Sequence, residues 1–149
     1  MIGAEAEEPE RGLLVLDTHV LIWLMFGDAR LGKHARGRID LAARTGELLV
    51  SAITPWETGV LVSKKRIDLQ RDVMDWVSAA LATPGVALIA LEPEIAVAST
   101  RLPFEMHPDP ADRILVATTR HLGATLVTAD RALLVLAKKR HFRAIDAEK

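Results

Sequence analysis

Residues 107–134, HPDPADRILVATTRHLGATLVTADRALL, constrain the fold more than any other part of the chain. Each proline of His107-Pro108-Asp109-Pro110 lacks an amide donor and drives the residue before it toward extended geometry, so a helix cannot start before Pro110. Pro110 suits the first helical position, Asp109 suits the N-cap, and Asp112 then falls in the first turn, at the positive end of the helix dipole. Ile114, Leu115, Thr118 and Leu122 follow at helical spacing, and Gly123 stops the helix. The run Ala124–Thr128 is short, apolar and β-branched and reads as a buried strand, with Asp130 just past its carboxyl end and another helix from about Arg131.

The same alternation runs through the rest of the chain. Leu13–Leu16 reads as the first and most buried strand, ending at Asp17, and Thr18–Phe26 is an apolar helix, buried on most sides or offering a second face to a partner. A helix over 30–45 turns Leu31, Ala35, Ile39 and Ala42 inward, and Leu48–Val50 is the second strand. Thr54, Pro55 and Glu57 carry the signature of a capping box, placing a helix start there. A helix over about 71–82, a third strand at Val86–Ala90, a short helix at Glu94–Thr100 and an edge strand at Phe142–Ile145 complete the pattern. Such alternation implies an α/β protein with a parallel sheet covered on both faces. At 149 residues it reads as one domain, 13–149, behind a loose acidic tail over 1–12.

Composition excludes several classes. Lys+Arg 19 against Asp+Glu 20 gives no bulk attraction to nucleic acid, so any such contact is local. The chain has no cysteine, which removes disulfides and thiolate metal sites and suits a cytoplasmic protein. No apolar run is long enough to predict a membrane span, and the acidic N-terminus does not read as a signal peptide.

The chemistry follows from the strand ends. Ligand sites of open α/β sheets lie beyond the carboxyl ends of the strands. Asp17 and Asp130 follow strands there, while Glu57 and Asp112 sit in first turns of helices entered from that edge. Four such carboxylates repel, on the order of 3 kcal/mol per close pair at an effective dielectric near 20. Either several hold protons or a divalent cation sits among them, and oxygen ligands favour Mg²⁺ or Mn²⁺. A metal so held would activate water and stabilise charge in phosphodiester hydrolysis, a reaction that requires no nucleophilic side chain.

LLVLDTHVLIWL, SAITPWETGVLVSKKRIDL and, above all, HPDPADRILVATTRHLGATLVTADRAL resemble the successive motifs of PIN-domain ribonucleases, specifically VapC-type toxins of toxin–antitoxin pairs. The resemblance covers Leu13 to about Ile145. It implies a three-layer α/β/α fold with a mainly parallel sheet of about five strands, Mg²⁺- or Mn²⁺-dependent endoribonuclease activity, a homodimer, and inhibition by a cognate VapB-like antitoxin. By this similarity Asp17, Glu57, Asp112 and Asp130 match the family's acidic quartet, Thr128 a hydroxyl residue beside it, and Asp109 an extra acidic position of a DPxDR variant. Ala111 stands where that motif often has an aromatic residue. A PIN nuclease of RNA processing and a non-catalytic RNA- or protein-binding PIN module are the alternatives. A phosphoacceptor domain is disfavoured, since Asp17 lacks an acidic neighbour and no lysine follows a suitable last strand.

Each residue also has a structural reading. Glu57 could be only a capping-box glutamate, Asp112 a dipole residue, Asp17 and Asp130 helix caps, and Asp109 divides evenly between cap and ligand. His19 and His107 read as ordinary helix-start and loop residues before substrate contacts. Thr18 is a possible accessory, and Arg113 and Arg131, each beside a quartet aspartate, are placed to meet backbone phosphates.

Overall fold

The computed structural model describes residues 12–149, so the tail expected over 1–12 lies, but for Gly12, outside the described residues. The elements are β1 (Leu14–Leu16), α1 (Thr18–Phe26), α2 (Lys33–Thr45), β2 (Leu48–Ser51), α3 (Ile53–Ser63), α4 (Val73–Leu81), β3 (Val86–Ile89), α5 (Pro93–Thr100), α6 (Pro110–Leu122), β4 (Thr125–Thr128), α7 (Arg131–Lys138) and β5 (Arg143–Asp146). The five strands form one sheet in the order β3-β2-β1-β4-β5, and every pairing is parallel. This is the α/β architecture that the strand–helix alternation implies.

Strand periodicity sorts the core into two layers. Leu14 and Leu16 of β1, Leu48 and Val50 of β2, and Val127 of β4 pack with Val20, Leu21, Ile39, Trp76 and Val77 of α1, α2 and α4. Val15, Leu49 and Leu126 point the other way, onto Leu115 and Val116 of α6 and Leu133 of α7. Leu14, Leu16, Leu115, Leu126 and Leu133 are fully buried, and each such side chain contributes roughly 1.5–3 kcal/mol. β1 is central and buried throughout, as its apolar run predicts, whereas β3 is an edge strand with Leu88 half exposed.

The strand order places the functional edge. The chain turns to opposite sides of β1, to β2 on one side and to β4 on the other, so β1 and β4 flank the point where the winding direction reverses. Ligands of doubly wound sheets bind at that point, beyond the strand ends. Asp17 and Asp130 follow those two strands.

One turn at the opposite side of the molecule depends on glycine. Gly85, before β3, has φ +88°, and a Cβ there would lie 2.4 Å from the Ala43 carbonyl oxygen at the end of α2. A Gly85→Ala protein meets a steric clash with backbone as well as an unfavourable φ, and its urea midpoint is expected to fall by about 1–2 M, equivalent to about 3 kcal/mol.

Candidate metal centre

Local sequence sets each carboxylate in place. Asp17 follows β1 directly, and its amide donates to the Val127 carbonyl of β4. Its side chain is 6% exposed and does not cap α1; instead Oδ2 accepts a 2.7 Å hydrogen bond from the Thr128 hydroxyl. The Thr128 oxygen in turn accepts from the Asp130 amide at 3.0 Å. One buried hydroxyl therefore ties the ends of β1 and β4 together. Thr128→Val keeps the shape but strips Asp17 and the Asp130 amide of this partner; a loss of about 2 kcal/mol in urea unfolding is expected, with Thr128→Ser restoring most of it.

Asp112 is placed by α6, which begins as the prolines dictate: Pro110 is the first residue and the Asp109 Oδ1 accepts from the Asp112 amide at 3.1 Å. Asp130 caps α7 through a 3.1 Å bond from the Leu133 amide. Capping does not withdraw either residue from the site. Ligand-capable atoms of Glu57, Asp109 and Asp112 lie within 4.8 Å of one another, and so do those of His107, Asp112 and Asp130. Asp112 belongs to both groups. Asp17 belongs to neither, yet its charge, after burial, is the largest electrostatic influence on Asp112.

The expected capping box is not formed. Helix α3 starts at Ile53, two residues earlier than a Thr54 cap allows, and the Ile53 amide donates to Ser51 Oγ at 3.1 Å. The Thr54 hydroxyl is instead buried against that of Thr18, 3.1 Å away. Pro55 is tolerated because its nitrogen still falls among the first-turn positions that lack an intrahelical acceptor. This resolves the competition for Glu57: its carboxyl is not folded back on a cap. Among the described residues, its Oε1 is the one buried side-chain polar atom without a hydrogen-bond partner.

The two arginines expected to meet phosphates are committed elsewhere. Arg113 Nε donates to the Ser99 carbonyl at 2.8 Å and Nη1 to that of Met106 at 3.3 Å, fastening the segment between α5 and α6. Arg131 pairs at 2.8 Å with both Asp146 and Glu148. A guanidinium satisfied by carboxylates and carbonyls gains little by leaving them for a solvated phosphate.

Electrostatics single out Asp17, Glu57 and Asp112. Burial raises the Asp17 carboxyl above its ordinary value, opposed by the Thr128 hydrogen bond. Burial also raises Glu57, with the Thr18 hydroxyl opposing and Asp17 and Asp109 reinforcing the shift. Asp112 is pushed up to about 8, first by burial and then by Asp17, Asp109, Glu57 and Asp130. Raised carboxyls beside an orphaned, buried carboxylate oxygen form a donor set one cation short of balance. That fits a hard divalent ion. His107, read from the sequence first as a loop residue and second as a substrate contact, enters as well: its Nε2 is 3.4 Å from Asp112 Oδ2.

A PIN domain family model matches residues 14–139. Ribonuclease VapC22 of Mycobacterium tuberculosis is 34% identical over 120 residues, spanning 80% of this chain and 88% of that protein. Among solved structures, the crystal structure of VapBC2 from Rickettsia felis bound to a DNA fragment from their promoter superposes with a TM-score of 0.65, covering 90% of this chain and 98% of its counterpart. At 13% identity that likeness carries the fold alone. With the family match across most of its length and the VapC relative above 30% identity, the chain belongs to the PIN-domain family, among its VapC-type members.

Proposed function

We propose that this chain is a Mg²⁺- or Mn²⁺-dependent endoribonuclease, the toxin of a toxin–antitoxin pair, with residues 13–149 acting as one domain. The observation that carries the reading is the convergence of Asp112 with Glu57 and Asp109 and with Asp130, beside buried Asp17, at the sheet's switch point. Asp17, Glu57, Asp112 and Asp130 would hold the ion, which when bound supplies an activated water and neutralises charge on the phosphoryl group. The side chains' own work is positional. Thr128 fixes Asp17, Asp109 fixes the first turn carrying Asp112, and Arg113 fastens the approach to His107.

The nuclease assignment draws support from the VapC relative, named a ribonuclease, and the antitoxin partner from the VapB–VapC complex with the same fold. A cytoplasmic location and a homodimer belong to the same proposal. Among the described residues, no helix is long and apolar enough to cross a membrane, while Phe26 and Trp56 leave large apolar rings exposed for partners.

Labelled RNA incubated with the protein tests this reading. Cleavage is expected in Mg²⁺ or Mn²⁺ and not in EDTA, and Asp17→Asn and Asp112→Asn proteins are expected to fold without cutting. Undiminished cleavage by both variants would remove the proposal. RNA binding without divalent-ion binding would favour the non-catalytic module instead.

A further inference from the structure

The acidic quartet leaves one metal-capable side chain unexplained. His107 is half-buried at the end of the segment that leads into α6, and its ligand atom lies within 4.8 Å of those of both Asp112 and Asp130. Adjacent ligands of an octahedral ion bonded at about 2.1 Å lie about 3 Å apart, and opposite ones about 4.2 Å apart. The 3.4 Å between His107 Nε2 and Asp112 Oδ2 suits an adjacent pair, needing only a small closing movement.

The backbone on both sides of the histidine is also held. Pro108 follows it and restricts its backbone, and the carbonyl of the preceding residue, Met106, is gripped by Arg113 Nη1 at 3.3 Å. Arg113 is itself the neighbour of Asp112 on α6. One guanidinium thus fastens the histidine's segment to the helix that carries the carboxylate, the kind of outer support that orients metal ligands.

We propose that His107 is a metal ligand, its Nε2 forming with Asp112 and Asp130 a mixed nitrogen–oxygen position that favours Mn²⁺ over Mg²⁺. This rests on the metal-nuclease reading above. Selectivity follows from donor chemistry: Mg²⁺ takes oxygen almost exclusively, whereas first-row transition ions accept imidazole readily. The competing role, a simple ion pair between His107 and Asp112, makes the opposite statement about metal, because losing the histidine would then free a carboxylate for either ion.

The experiment is Mn²⁺ and Mg²⁺ titration calorimetry on the full metal-free chain, together with pulsed EPR of the Mn²⁺ complex, for wild type, His107→Gln, His19→Gln and Asp112→Asn. Circular dichroism confirms that each variant is folded. The expected result is a ¹⁴N coupling to Mn²⁺ in wild type and His19→Gln that is absent from His107→Gln, with Mn²⁺ binding weakened about tenfold and Mg²⁺ binding changed less than threefold. A coupling that survives in His107→Gln, or Mn²⁺ and Mg²⁺ affinities that change in parallel or not at all, would overturn the assignment. Mn²⁺ binding that Asp112→Asn abolishes but that shows no ¹⁴N coupling would overturn the histidine's role while sparing the metal reading. No Mn²⁺ binding by wild type would remove both.

Discussion

An Asp112→Asn protein is expected to fold and to cleave RNA at least about a thousandfold more slowly than wild type at saturating Mn²⁺. The size follows from what one substitution removes. Asp112 is the carboxylate common to both ligand-capable groups, so its loss weakens every arrangement the site offers. Removing a single preorganised electrostatic contact from an active site commonly costs about 10²–10³ in rate, and a shared metal ligand stands at or beyond the upper end. Asparagine keeps the shape and one oxygen but not the charge. The Asp112 amide bonded to Asp109 is a backbone group, so the start of α6 survives the change. Single-turnover cleavage measures the effect, and a loss below tenfold would show that Asp112 does not hold the reacting ion.

The second large effect is on stability, and it depends on pH and metal together. In the metal-free protein the Asp112 carboxyl is raised from 3.8 to about 8. The native state therefore keeps a proton that the unfolded chain releases above about pH 4. Stability from this group is full below pH 4 and declines as pH rises through about 8, because the native state binds more protons across that interval. Four units at about 1.4 kcal/mol each is an upper bound, and solvent screening lowers it to about 2–3 kcal/mol. The raised Asp17 and Glu57 carboxyls act in the same direction. In EDTA the melting temperature is expected to fall by about 5–7 °C between pH 5 and pH 8, which spans about three of those four units, at about 3 °C per kcal/mol for a chain of this size. Saturating Mn²⁺ should recover that loss at pH 8, since the ion takes over the neutralisation the protons provided. Asp112→Asn should flatten most of the pH dependence and gain little from Mn²⁺. Scanning calorimetry across that range with and without the ion checks both statements.

Much of the fold was legible because this chain marks its boundaries with residues of limited conformational choice. Pro110 and Gly123 bracket α6, and β1 and β4 are apolar runs that only a buried position can accommodate. The placement of Asp17 and Asp130 at one edge of the sheet followed from parallel winding alone. What escaped was decided by side chains meeting across space. Thr54 is a competent cap for α3, yet the helix starts at Ile53 behind Ala52 with no side-chain cap, and the Thr54 hydroxyl is drawn against Thr18 of α1, thirty-six residues away. The reach of Arg113 and Arg131 was likewise invisible, since a long side chain beside an aspartate in sequence can find carbonyls or carboxylates elsewhere. Asp109 shows a different limit: cap and ligand are competing readings in the sequence, whereas in the structure one oxygen caps α6 and the residue still belongs to the group with Glu57. His107 carried no spacing signal, and only the folded segment brings it to Asp112.

The proposed divalent cation sits on Asp112 and its neighbours. Anomalous diffraction from crystals of the metal-free protein soaked in Mn²⁺ tests it most directly. A manganese peak is expected about 2.2 Å from an Asp112 carboxylate oxygen, with at least two of Asp17, Glu57 and Asp130 in its coordination sphere directly or through one water. Manganese bound only elsewhere on the protein, with this edge of the sheet empty at saturating Mn²⁺, would contradict it.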